Sequence, residues 1–104
     1  MQIIVQARQT EPSDAMRARA ERTVYRLAAL LTRPVDAIVR FEHDGIAQRV
    51  EIVLHAPRKR ALVAEARDKH VGPALTEAGR RLEAQILRLK RPLKPRGRAK
   101  APPA

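Results

Sequence analysis

The chain has 104 residues and carries 22 lysines and arginines against 11 aspartates and glutamates, a formal net charge of +11 at pH 7. This length suits one small domain with a modest core, and the absence of cysteine excludes a disulfide framework and a thiolate metal site. The only aromatic residues are Tyr25 and Phe41, which argues against modules that stack unpaired bases on exposed rings. A nucleic-acid partner would therefore be contacted mainly through its phosphates.

The first two predicted elements are a strand and a helix. Apolar and polar residues alternate over residues 1–8, as in a half-buried strand. Ser13 is a suitable N-cap for a helix over residues 14–31, which Pro34 prevents from continuing. The predicted buried face of this helix consists of Met16, Ala20, Thr23, Leu27, Leu30 and Leu31.

Three further strands are predicted at residues 35–43, 47–55 and 61–67, because apolar residues alternate with polar ones in each. Asp44-Gly45 is a strong turn signal between the first two, and Pro57-Arg58-Lys59 turns the chain into the third. The predicted inward-facing residues are Ala37, Val39, Phe41, Val50, Ile52, Leu54, Leu62, Ala64 and Ala66.

The last predicted element is a second helix that begins at Pro73, since proline is tolerated at the first helical position, and ends before Pro92. Its apolar face is predicted to contain Val71, Leu75, Ala78, Leu82, Ile86 and Leu89. Residues 92–104 contain four prolines and four basic residues without an apolar run. This composition predicts a disordered basic tail after a domain of residues 1–91.

The predicted element order is therefore β-α-β-β-β-α, an α/β (α+β) fold. The strand-helix-strand crossover makes the first two strands parallel, and the short turns add two antiparallel strands to form a four-stranded mixed sheet. Both helices need the same apolar sheet face, so we expect them to pack side by side on it. The outer face carries polar residues and one apolar residue per strand: Ile4, Ile38, Val53 and Val63. These four residues allow two interpretations, isolated surface hydrophobes or a weak homodimer surface.

Basic residues are concentrated on the two helices and after them. Nine of the 22 lie between residues 80 and 100, where Glu83 is the only acid. The predicted RNA-binding arginines are Arg19, Arg22 and Arg26 on one flank of the first helix, and Arg80, Arg81, Arg88 and Arg91 opposite the apolar face of the second. We expect the flank of Arg19, Arg22 and Arg26 and the flank of Arg81 and Arg88 to border a common groove, the alternative being that both are solvated faces. Weaker contributions are expected from Lys94, Arg96, Arg98 and Lys100 in the tail.

No pattern in the sequence indicates catalysis. The histidines His43, His55 and His70 lack the spacing of a zinc site, and no phosphate-binding glycine loop or nucleophile motif occurs. We therefore expect a binding protein without a catalytic residue, metal or cofactor. The chain has no long apolar run, and its opening residues have no basic segment or small-residue cleavage site, so a cytoplasmic location is expected.

Several segments together resemble the ribosome hibernation-promoting factor and ribosome-associated inhibitor family. They are the element order, the opening Met-Gln-Ile-Ile-Val, the Ser-Asp-Ala-Met start of the first helix, and Ala-Leu-x6-Leu-Glu-Ala-Gln-Ile-x-Arg-x-Lys-Arg in the second. The resemblance covers residues 1–97 and implies a stress or stationary-phase factor that binds ribosomal RNA in the small subunit, in the channel for transfer RNA and messenger RNA. Such a factor silences idle ribosomes. The family's basic positions in the second helix map onto Arg81, Arg88, Lys90 and Arg91.

The chain departs from the family pattern in two places. A Tyr-Ala-Ala-Ile-Asp-like helix start is replaced by residues 72–76, Gly-Pro-Ala-Leu-Thr, so contacts made by that aromatic ring and that acid are not expected. The chain resembles the short forms of the family, so we do not expect the second domain of the longer members. Two alternative functions stay open from the residues: a general double-stranded-RNA-binding module, and a basic regulator of an acidic protein.

Overall fold

The computed structural model describes residues 1–32, 35–56 and 60–90. Its elements are β1 (Ile3–Arg8), α1 (Asp14–Ala28), β2 (Asp36–Asp44), β3 (Ala47–His55), β4 (Leu62–Asp68) and α2 (Val71–Lys90). The predicted fold class and element order are confirmed. The strands form one sheet in the order β1-β2-β3-β4, with β1 and β2 parallel and the other neighbours antiparallel. The predicted tail of residues 92–104 lies outside the described residues.

Helix α1 begins as its sequence predicts and ends three residues earlier. The Ser13 hydroxyl accepts a hydrogen bond from the backbone N–H of Met16 at 3.0 Å, which confirms the N-cap. Beyond Ala28 the backbone tightens into turns, so Leu30 and Leu31 pack against the core from outside the helix. The fully buried residues of α1 are Ala20, Val24 and Leu27, whereas Thr23, predicted on that face, is only half-buried.

A single hydrophobic core lies between the sheet and both helices. The inward-facing strand residues are buried as predicted, apart from the half-buried Leu62, and they form one cluster with the apolar faces of α1 and α2. Both helices therefore cover the same face of the sheet. Arg19 contacts Thr76 and Arg26 contacts Glu83, so the two helices lie side by side and run in the same direction.

The β2–β3 hairpin turns at Gly45 and Ile46, between the paired residues Asp44 and Ala47. Gly45 has a φ of +66°, and Ile46 is not among the residues with positive φ. A positive φ at the first central position alone defines a type II′ turn, which favours glycine there.

Helix α2 begins at Val71, two residues before the predicted start. Pro73 is thus its third residue, where the missing N–H would have no partner within the helix, so the earlier start loses no hydrogen bond. The prediction that Leu89 is buried is wrong, because its side chain lies one turn beyond Ile86, the last core residue of the helix, and is 64% exposed. A methyl group on Gly79 would lie 3.1 Å from Thr23 Cγ2, so glycine permits the close approach of α1 and α2 there.

Candidate nucleic-acid interface

The outer face of the sheet carries arginines that are neutralised by neighbouring acids. Arg49 is the centre of this network: it forms an ion pair with Glu42 at 3.1 Å, another with Glu65, and a longer one with Glu51 at 3.8 Å. Arg40 also binds Glu51, at 2.7 Å. At the edge of this face, Arg67 binds Asp44 at 2.9 Å.

The acids around Arg49 more than compensate for its partial burial. Burial disfavours the charged guanidinium, but the hydrogen bond and charge of Glu65, with contributions from Glu51 and Glu42, raise the pKa of Arg49 above its usual value. Arg49 and the three acids around it are therefore engaged with one another.

The predicted RNA-binding residues of α1 occupy two positions. Arg19 and Arg26 lie at the seam between the helices, where Arg19 binds Thr76 and Arg26 binds Glu83 at 3.0 Å. Arg22 lies between them in sequence and is exposed on the outer side of α1.

On α2, Arg80 and Arg81 share one carboxylate. Glu77 accepts a hydrogen bond from Arg80 Nε at 3.1 Å and from Arg81 Nε at 3.0 Å. The hydrogen bond from Arg80, followed by that from Arg81, lowers the pKa of Glu77 below its ordinary value, so this carboxylate is charged at neutral pH.

The flank of α2 that faces away from α1 covers the free edge of β4. Arg81 Nη1 donates to the backbone oxygen of Glu65 at 2.8 Å, and Gln85 Nε2 donates to that of Val63 at 2.7 Å. Arg81 and Arg88 also line a shallow depression there, with Leu62, Ala84, Gln85 and Leu89. The prediction of one common groove is therefore wrong, because Arg19 and Arg26 contact the flank of α2 that faces α1, whereas Arg81 and Arg88 lie on the flank that faces β4.

Lys90 has a contact that its sequence position did not reveal. Its ammonium group donates to the backbone oxygen of Leu30 at 2.7 Å, just after the end of α1. A cation in this position stabilises the carbonyl end of a helix and joins the C-terminal ends of α1 and α2. This contact could be predicted from the sequence only if the two helices were already known to be parallel neighbours.

The predicted cations within the described residues all belong to the helical layer: Arg19, Arg22, Arg26, Arg80, Arg81, Arg88 and Lys90. The acids that bind them there are Glu77 and Glu83, so cations outnumber paired acids on this layer. Outside the described residues lie Arg91 and the predicted tail residues Lys94, Arg96, Arg98 and Lys100. Across the part of the chain that the structure describes, no cluster of three or more metal-ligating side chains occurs, and no helix is long and apolar enough to cross a membrane.

The fold of the chain is similar to two solved structures. The N-terminal domain of Protein Y from Thermus thermophilus has 28% sequence identity and a TM-score of 0.74, over 86% of this chain and 99% of that one. A ribosomal subunit interface protein from Coxiella burnetii has 18% identity and a TM-score of 0.73, over 86% of this chain and 98% of that one, and this likeness concerns the fold alone. No curated protein sequence matches the chain at a significant level.

A family model described as sigma 54 modulation protein / S30EA ribosomal protein matches residues 3–94. The match includes all six elements of the fold. It confirms the resemblance that the element order and the motifs of the two helices had indicated. The chain therefore belongs to the sigma 54 modulation protein / S30EA ribosomal protein family, whose members are ribosome-binding factors of the hibernation type.

Proposed function

We propose that this protein binds the small ribosomal subunit in the channel of transfer RNA and messenger RNA, and that it inhibits translation on idle ribosomes by occupying that channel. The observation that carries the proposal is the unequal distribution of charge between the two faces of the domain. Three of the outer-face arginines, Arg40, Arg49 and Arg67, are paired with acids, whereas the helical layer has more cations than paired acids. A polyanion would therefore approach the helical layer.

The proposed mechanism is binding without chemistry. Arg80 and Arg88 project from a helix that the core holds in place, so little backbone ordering is needed when they meet phosphates. Neutralising the phosphates releases condensed counterions, which supplies a salt-dependent driving force. The bound domain would then sterically exclude transfer RNA and messenger RNA from the channel.

The experiment compares two double variants with the same change in net charge. Arg80→Gln/Arg88→Gln removes two charges from the helical layer, and Arg8→Gln/Arg67→Gln removes two from exposed positions at one end of the outer sheet face. We expect the helical variant to bind purified small subunits about tenfold more weakly, and the sheet variant to bind like the original protein. Circular dichroism controls for folding.

Three other results would overturn the proposal in different ways. Equal losses in both variants would indicate attraction by net charge alone. Binding to a free RNA duplex as tight as binding to the subunit would favour a general double-stranded-RNA-binding module. Binding to an acidic protein that free ribosomal RNA does not compete away would favour the protein regulator.

A further inference from the structure

Glu77 lies one turn before Arg80 and Arg81, at the N-terminal end of the cationic surface of α2, where an acid opposes the approach of RNA. Its two oxygens bind the Nε and Nη2 atoms of Arg80 at distances from 2.9 to 3.2 Å, and one of them also binds Arg81 Nε at 3.0 Å. Arg81 is held a second time through the backbone oxygen of Glu65. Both guanidinium groups are thus fixed in position before any ligand arrives.

The two arginines still have donors for a phosphate. Arg80 makes three hydrogen bonds to Glu77 through Nε and Nη2, which leaves both N–H groups of its Nη1. Arg81 uses Nε and Nη1, which leaves both N–H groups of its Nη2, and the two side chains are 71% and 56% exposed. The two arginines therefore present free N–H groups to solvent from one short stretch of helix.

Two effects of Glu77 on RNA binding oppose each other. Its charge repels phosphates, and this repulsion is weakened by water and salt because the group is at the surface. Its hydrogen bonds restrict two long side chains whose immobilisation would otherwise oppose binding. Because Glu77 restrains two arginines with one charge, we expect the ordering effect to be the larger.

We propose that Glu77 is a positioning residue, which holds Arg80 and Arg81 as a fixed pair that receives RNA phosphates. This inference rests on the proposed function and adds to it an acid that strengthens the binding of a polyanion. Positioning and simple electrostatics predict opposite signs for the effect of removing this acid.

The test compares Glu77→Gln with Glu21→Gln. Glu21 is exposed on α1 and forms no ion pair within the described residues, so its replacement adds the same charge to the helical layer without releasing an arginine. With purified small subunits, E21Q should bind about 1.5-fold more tightly, and E77Q about threefold more weakly, than the original protein. If E77Q binds as tightly as E21Q or more tightly, the inference is wrong.

A second measurement separates positioning from other effects. In the background Arg80→Ala/Arg81→Ala, where nothing is left to position, the E77Q change should strengthen binding as E21Q does. Without any RNA, NMR relaxation of the arginine Nε–H groups should show Arg80 ordered in the original protein and mobile in E77Q, whereas Arg81 keeps its hydrogen bond to the backbone oxygen of Glu65 and should change less. Equal mobility in the two proteins would overturn the inference whatever the ribosome experiment shows, whereas failure of the original protein to bind subunits would overturn the proposed function alone.

Discussion

Arg49 and Arg80 carry the same charge in different surroundings. The Arg49 side chain is 22% exposed and touches three carboxylates, whereas that of Arg80 is 71% exposed and shares one carboxylate with Arg81. A charge that is enclosed by acids contributes to stability and little to the external field, and an exposed, partly paired one does the reverse. The identity of the residue alone therefore does not predict its role.

We predict that Arg49→Met lowers the free energy of unfolding by about 1–2 kcal/mol at pH 7, because Glu42 and Glu65 lose their cation and Glu51 keeps only Arg40. This loss of unfolding free energy should become smaller at acid pH, because protonation of the carboxylates removes their mutual repulsion. Urea unfolding at both pH values measures it. A deficit that is the same at both would mean that Arg49 acts through packing and not through charge.

The lowered pKa of Glu77 predicts how the contribution of its ion pairs to stability depends on pH. Because the folded-state pKa lies below the ordinary value of 4.5, the ion pairs of Glu77 contribute stability above that pH and lose it as the pH falls through the lowered pKa. An NMR titration of the Glu77 side chain should have its midpoint below 4.5, and Arg80→Gln should move the midpoint upward. An unchanged midpoint in that variant would contradict the proposed pairing.

Helix α2 covers one edge of the sheet with two of its side chains. The free edge of β4 has the carbonyls of Val63 and Glu65 covered by Gln85 and Arg81 from α2. Uncovered strand edges tend to pair with other strands, so these side chains protect the monomer from edge-to-edge association. Arg81 consequently has a structural role in addition to its predicted role in RNA binding.

We predict that Arg81→Ala/Gln85→Ala increases self-association, because it exposes both carbonyls on an edge strand that carries the exposed side chain of Val63. Sedimentation velocity over a range of concentrations measures the effect. Arg88→Ala is the control, since Arg88 lies on the same flank and has no hydrogen bond to β4 within the described residues. Association of the control to the same extent would show that lost charge, and not the exposed edge, is responsible.

The seam between α1 and α2 depends on Gly79. A side chain there would meet Thr23, whose rotation is limited by the hydrogen bond from its hydroxyl to the backbone oxygen of Arg19. We predict that Gly79→Val destabilises the fold by about 2 kcal/mol through overpacking. Adding Thr23→Ala should recover part of this loss, as measured by thermal unfolding, and no recovery would place the strain elsewhere.

The charge difference between the two faces of the domain predicts that binding to the small ribosomal subunit weakens strongly as the salt concentration rises. Five phosphate contacts would give a log-log slope of binding against salt of about −3.5 to −4.5. Arg80→Gln/Arg88→Gln should make the slope shallower by about 1.5, and Arg8→Gln/Arg67→Gln should leave it unchanged. A slope near zero for the original protein would indicate apolar docking in place of phosphate binding.

The apolar row on the outer sheet face stays a prediction. Ile4, Ile38, Val53 and Val63 are in register across all four strands, with Ile4 and Val63 exposed at the ends. A weak homodimer through this row would appear as concentration-dependent line broadening of these four residues.

The order of the elements, most of their buried residues and the excess of positive charge on the helices were predictable from the sequence. Each of these depends on local features: the alternation in β2 and β3, the helical spacing around Leu82, and the cap at Ser13. Local periodicity shows which side of an element is buried, because the same side must always meet the core. The N-terminal start of α2 and the end of α1 were missed, since helix ends are decided by a few hydrogen bonds.

The contacts of each cation follow from how the elements pack together. Arg26 meets Glu83 and Lys90 meets Leu30 between elements that are far apart in the chain, and Arg81 meets the outer edge of the preceding strand, β4. These partners follow from the parallel packing of α1 and α2 and from the position of α2 beside β4. A periodic pattern contains no information on such distant neighbours, so the sequence predicted a cationic layer and the fold determined which of its charges are engaged.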